Sequence, residues 1–162
     1  MSSMVTIGIS DMKIVKSADF LVTYALGSCV GICLYDSMTK VGGLGHIMLP
    51  YFPVSSQKQE NVHRFANTCI PSMVNEMERM GCSRARLKAK IAGGAKMFEV
   101  SGDSTFGNIG ARNVLAVKET LRNFRIPILA EDTGLNYGRT LYFYVETGTM
   151  VVKSFSNGVK TF

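Results

Sequence analysis

Two residue types in this chain can form and break a covalent bond to substrate with a proton moved alongside, and both are scarce. Cysteine occurs at 29, 33, 69 and 82, and histidine only at 46 and 63. A thiolate is an intrinsically strong nucleophile, and imidazole is the side chain that takes and returns a proton near neutrality. Cys29 follows Leu26-Gly27-Ser28. A glycine turn at the entrance to a strand can expose a nucleophile and aim backbone N–H groups at a developing oxyanion. A free cysteine buried in a strand is the other reading of the same pattern. Cys33 lies on the same face of that strand, but Cys29, Cys33 and His46 lack both a fourth ligand and the spacing of a zinc knuckle. His46 sits among Gly42, Gly43, Gly45 and apolar neighbours, where glycines let another backbone or an extended substrate approach. A half-buried structural histidine fits that setting too. Cys69 reads as core packing, Cys82 has no evident partner, and His63 reads as a solvated surface residue.

The elements that must position these side chains follow from periodicity. Residues 3–17 suggest one or two edge strands, 20–26 (FLVTYAL) a strand, 28–35 (SCVGICLY) another, and 40–49 (KVGGLGHIML) a glycine-rich return. The polar turn at 36–39 makes 28–35 and 41–49 a hairpin. Val62, Phe65, Ala66, Cys69, Ile70, Met73, Val74, Met77 and Met80 fall at helical spacing, which predicts a helix over 60–80. Gly81 would cap it, and Pro71 inside it predicts a kink or break. Arg84, Arg86, Lys88 and Lys90 alternate with apolar residues, predicting a strand over 84–92 with a wet face, ended by Gly93-Gly94. A polar loop over 101–110 precedes a second helix running to about Asn123. Strands are expected at 126–130, 139–146 and 149–155. Many strands with two main helices, not regularly alternating, point to an α/β class: a layered α+β sandwich with mixed sheets.

Composition narrows the function classes. A chain of 162 residues, 46% hydrophobic and 19% charged, forms one domain with a real core. No apolar run reaches the length of a membrane span and no secretory signal is apparent, so no membrane insertion and a cytoplasmic setting with reduced thiols are expected. Residues 1–81 carry six basic and six acidic side chains, and residues 82–162 twelve and six, so the net charge of +6 lies in the second half. The charged strand carries no interleaved aromatics, so a platform for stacking bases is missing and no nucleic acid is expected.

Blocks spread along the chain resemble the CheD family of chemoreceptor glutamine deamidases. They are Leu26-Gly27-Ser28-Cys29-Val30-Gly31-Ile32, Gly42-Gly43-Leu44-Gly45-His46-Ile47-Met48-Leu49-Pro50 and Gly93-Gly94-Ala95-Lys96-Met97-Phe98. Ile109-Gly110-Ala111-Arg112-Asn113, Asp132-Thr133-Gly134 and Gly138-Arg139 continue the series in family order. Leu135 departs from the glycine pair that the family usually shows there. The resemblance implies a layered sandwich similar to the catalytic domain of toxin-type deamidases. It implies Cys29 as nucleophile, His46 as acid–base and Thr23 as the third member; the chemistry of the turn makes Gly27, Ser28 and the backbone N–H groups near Ser28 and Cys29 the candidates for the oxyanion site. It implies deamidation of receptor glutamines through a thioester, hydrolysis of receptor methyl esters by the same acyl-enzyme, and no metal or organic cofactor. It also implies a CheC-type phosphatase as partner, and a non-catalytic role stimulating that phosphatase is the competing function. The chemistry agrees, because an imidazolium beside a thiol would lower its pKa and populate the thiolate. Phe106, in the polar loop, is either a core pin for that loop or an exposed partner anchor.

Overall fold

The hairpin expected around the Cys29 turn lies at the centre of a layered α/β structure. A computed structural model describes residues 2–54, 60–97 and 108–162. The strands are β1 (Met4–Thr6), β2 (Met12–Lys16), β3 (Phe20–Leu26), β4 (Val30–Asp36), β5 (Val41–Ile47), β6 (Lys88–Gly93), β7 (Ile128–Thr133), β8 (Arg139–Tyr144), β9 (Thr149–Ser154) and β10 (Gly158–Thr161). The helices are α1 (Ala66–Arg79) and α2 (Ile109–Asn123). The outer sheet has the order β1-β3-β8-β9-β10 and the central sheet β2-β5-β4-β6-β7. Both are mixed, with β1–β3 and β6–β7 parallel and the other pairs antiparallel.

Period-two alternation sends the two faces of the central sheet to different layers. Val30, Ile32, Leu34, Val41, Ile47, Ala89 and Ile91 pack with Ala66, Cys69, Ile70, Met73, Val74 and Met77 of α1 and with Val117 and Leu121 of α2. Cys33, Leu44 and Ala92 point the other way, against Leu21, Leu26, Leu141, Phe143, Met150 and Val152 of the outer sheet. The glycines of β5 make the close layers possible. A Cβ at Gly45 would sit 2.9 Å from both Cys69 Sγ and Met73 Sδ, tighter than real contacts allow.

Four local expectations needed correction. First, α1 runs unbroken through Pro71 and begins at Ala66, after a 3-10 turn at Val62–Arg64. Pro71 removes only the bond to the Asn67 carbonyl, and the buried face of Ile70, Met73, Val74 and Met77 holds the helix together. Second, the basic strand starts at Lys88, because Arg84–Arg86 forms a 3-10 turn. Asp36 is fully buried and needs a counter-charge, and Arg86 Nη2 supplies it at 2.8 Å while the Ser83 N–H donates to Asp36 at 3.1 Å. The face opposite Ala89 and Ile91 is half-buried rather than wet: Lys90 Nζ donates to the Gly148 carbonyl at 2.8 Å. Third, β7 extends to Thr133 because Glu131, Asp132 and Thr133 pair with Ile91, Ala92 and Gly93. Fourth, β10 was not anticipated; its four residues are all exposed, so burial left no alternation to read.

Candidate active site

Thr23 and His46 come from different sheets and meet between them. On β3, Leu21 and Thr23 face inward; on β5, Leu44 and His46 do. Thr23 and His46 are both fully buried. Thr23 Oγ1 lies 2.6 Å from His46 Nδ1 and 2.8 Å from the carbonyl oxygen of Ile7. A hydroxyl has one proton, and the Ile7 carbonyl can only accept. Both contacts are satisfied when Thr23 donates to Ile7 and accepts from an Nδ1–H. That assigns the tautomer and leaves the lone pair on Nε2, which is buried with no partner among the described residues. The backbone of His46 is fixed as well, by Ser10 N–H donating to its carbonyl at 2.9 Å and its own N–H donating to the Asp11 carbonyl at 3.0 Å.

Cys29 stands at the entrance to β4, half-buried against the inter-sheet core. The β4–β5 register pairs Gly31 with His46 and Val30 with Ile47. Cys29 is therefore the diagonal neighbour of His46 on the same face, at a Cα separation of roughly 7–8 Å. The residue directly opposite the imidazole is Gly31. A Cβ there would lie 2.9 Å from Leu141 Cδ1, so the layer leaves no room for one.

Three consecutive carbonyls of the turn are held from outside it. Ala95 N–H donates to Gly27 O at 2.9 Å, Asn113 Nδ2 to Ser28 O at 2.9 Å, and Gly94 N–H to Cys29 O at 2.8 Å. Gly93 has φ +114°, and a Cβ there would collide with the Cys29 carbonyl oxygen. Arg139, fully buried, braces this corner: Nη1 donates to Gly134 O at 3.0 Å, and Nη2 lies 3.4 Å from Asp132 Oδ1. Among the described residues no backbone carbonyl takes the N–H of Ser28 or Cys29.

Electrostatics depart from the ion pair expected on paper. Burial pushes the Cys29 thiol above its ordinary value, partly offset by its own backbone N–H. Burial pushes His46 down to about 4. Burial thus favours the neutral form of both groups, a thiol at Cys29 and an imidazole at His46.

The other candidates sort plainly. Cys33 and Cys69 are core, with Cys69 held up to about 12 by burial. Cys82 is buried and has a partner after all, Thr39 Oγ1 at 3.4 Å. His63 is half-buried with Nε2 3.2 Å from Ser72 Oγ, rather than freely solvated. Phe106 lies outside the described residues. Among those residues no group of three His, Cys, Asp or Glu side chains is placed to hold a metal, and no helix is long and apolar enough to cross a membrane. Sequence reasoning missed the parts played by Asn113 and Arg139. Asn113 had a signal, as a polar residue in the buried stripe Gly110, Asn113, Val117, Leu121 of α2.

A family model described as CheD chemotactic sensory transduction matches residues 48–154. The chain belongs to the CheD family. Among its CheD relatives, a protein of Caldanaerobacter subterraneus subsp. tengcongensis named "Probable chemoreceptor glutamine deamidase CheD" is 49% identical over 98% of each chain. A protein of Syntrophomonas wolfei with the same name is also 49% identical, over 98% of each chain. One of Geobacter metallireducens, "Probable chemoreceptor glutamine deamidase CheD 2", is 44% identical over 99% of each. These matches take in the N-terminal stretch holding Thr23, Cys29 and His46, which the family model leaves out. A crystal structure of the Bacillus licheniformis hypothetical protein YfiH, 15% identical with TM-score 0.44 over 72% of this chain and 47% of that one, is too distant to bear on the chemistry.

Proposed function

We propose that this chain deamidates glutamine side chains of chemoreceptors, with Cys29 as nucleophile, His46 as acid–base and Thr23 as orienter. The observation that carries the reading is the buried His46, with its Nδ1 on Thr23 and its Nε2, without a partner among the described residues, on the face it shares with Cys29. The names of the CheD relatives supply the substrate.

The thiol gives its proton to His46 Nε2 as Sγ bonds to the amide carbon, and the carbonyl electron pair moves onto oxygen. The N–H groups of Cys29 and Ser28 donate hydrogen bonds to that oxyanion. When the oxyanion collapses, the carbon–nitrogen bond breaks and the imidazolium proton goes to the departing amine, releasing ammonia. A thioester remains on Cys29. His46 Nε2 then takes a proton from water, the oxygen attacks the thioester carbon, and the expelled sulfur recovers that proton. Glutamate leaves and the enzyme returns to its neutral pair. A glutamyl methyl ester enters the same acyl-enzyme with methanol as the leaving group. Thr23, its own proton on Ile7, keeps the imidazole in the working tautomer throughout.

Cys29→Ala tests the reading against Cys33→Ala on a chemoreceptor cytoplasmic fragment. Each deamidated glutamine gains about one dalton, and only the Cys29 variant is expected to lose turnover, since no second group can form the acyl-enzyme. Substantial turnover by a folded Cys29→Ala protein ends this mechanism.

A further inference from the structure

The β4–β5 ladder stops at Val30 and Ile47, where the next rung would join Cys29 and Met48. A side chain from α2 stands in that place. Asn113 Nδ2 donates to Ser28 O at 2.9 Å and to Met48 O at 2.9 Å. A primary amide has two N–H bonds, and both are spent here. Ser28 immediately precedes Cys29, and Met48 lies two residues beyond His46. Asn113 is fully buried, and its Oδ1 has no donor among the described residues. A buried amide spent wholly on two backbone carbonyls is poorly explained by packing, because an apolar residue would fill the same stripe of α2 without a polar group to satisfy.

The direction of the bond matters. Across a trans peptide the C=O and N–H point opposite ways. Ser28 O is drawn toward α2, beneath the central sheet. The N–H of the same peptide, that of Cys29, therefore points to the other side, where the Cys29 side chain joins the inter-sheet layer. That N–H lowers the thiol's pKa against burial, as a donor turned toward the sulfur must. With Gly27 O and Cys29 O held by Ala95 and Gly94, the flanking peptides have little freedom to turn it back.

We propose that Asn113 is a positioning residue: it orients the Ser28–Cys29 peptide so that the Cys29 N–H meets the oxyanion, and it sets the spacing between the Cys29 turn and the His46 strand. Asp is the same size but has no donor when ionised, Gln is one carbon too long, and Ser can serve only one of the two carbonyls. The inference rests on Cys29 and His46 being the reacting pair.

The test compares Asn113→Ala and Asn113→Ser with the parent in two measurements. The first is alkylation of Cys29 by iodoacetamide across pH, followed by peptide mass spectrometry, which needs no receptor. The second is glutamine turnover on a chemoreceptor cytoplasmic fragment, with Cys29→Ala alongside. A folded Asn113→Ala protein is expected to lose roughly 10²–10³-fold in kcat, the usual effect of one oxyanion donor, with KM within about twofold. Its alkylation midpoint should move to higher pH, and the rate at neutrality should fall on the order of tenfold. Asn113→Ser should recover part of both losses. A folded Asn113→Ala protein with kcat within about threefold of the parent and an unchanged alkylation profile overturns the proposal. If Asn113→Ala does not fold, Asn113→Ser is held to the same criterion. Loss of fold in both makes Asn113 a core residue only and also overturns it. Turnover by Cys29→Ala would instead break the reading of the reacting pair, and the alkylation profile alone would then decide on Asn113.

Discussion

Along β4 and β5 the residues that face the helices are Val30, Ile32, Leu34, Val41 and Ile47, closed over by Met73, Val74 and Met77. Those that face the outer sheet include Gly31, Cys33, Gly42, Leu44 and His46, with Cys29 at the entrance. The first face is apolar and tightly packed, and it needs no hydrogen bonds. The second keeps two polar side chains, Thr23 and His46, out of water, satisfies one nitrogen of the imidazole and leaves the other with no partner among the described residues. An unpartnered buried nitrogen costs stability, and the apolar face offsets that cost. One hairpin thus serves two layers: the helix side holds the strands still, and the inter-sheet side keeps a buried, neutral imidazole fixed in place.

Breaking the polar side should separate activity from fold. His46→Gln is expected to reduce turnover roughly 10²–10⁴-fold while leaving a cooperative unfolding transition. The same variant reports on pH. Burial holds the folded-state pKa of His46 near 4, against an ordinary value of about 6.5. The folded state therefore binds fewer protons than the unfolded state between these values. Stability is full above about pH 6.5 and falls as pH drops toward 4, by about 3 kcal/mol in all. Urea unfolding across that range should show the slope in the parent and a flattened one in His46→Gln; equal slopes would mean that another group carries it.

Breaking the apolar side should do the opposite. Met73 is fully buried against Gly43 and Gly45. Met73→Ala is expected to cost about 2–5 kcal/mol in denaturant unfolding, with kcat per folded molecule within about twofold of the parent. A large loss of kcat at full folding would show that the two faces are mechanically coupled.

The smallest effect is expected at Thr23. Thr23→Val keeps the volume and removes the acceptor for Nδ1–H, so turnover should fall about 10–100-fold through lost alignment. A loss as deep as that of His46→Gln in a folded protein would mean that Thr23 does more than orient.

Much of the hairpin was legible beforehand, since alternation predicted both strands and the polar turn at 36–39 joined them. The second helix was legible from helical spacing, and the last two long strands from alternation. The order of strands within sheets was not, because periodicity reports which face of an element is buried and not what covers it. Asp36 shows the limit. Its neighbours announce a turn, yet its burial recruits Arg86 across the fold and takes the first residues of the expected basic strand with it. The Pro71 penalty was real but small beside a buried helix face, so α1 continues through it.

For the site itself, residue types and spacing in the chain pointed to a glycine turn carrying Cys29, a glycine-rich strand carrying His46 and a hairpin that joins them. These are local facts, established within one hairpin. Only the tertiary structure decided the rest. Thr23 reaches His46 because β3 belongs to the sheet packed over β5. The Ile7 carbonyl then accepts the threonine O–H hydrogen bond and with it selects the tautomer. Asn113 reaches Ser28 and Met48 because α2 lies beneath the open end of the ladder. Each of these bonds joins groups distant in the chain, whose meeting depends on how apolar faces stack. The direction of a single hydrogen bond exists only once they have stacked.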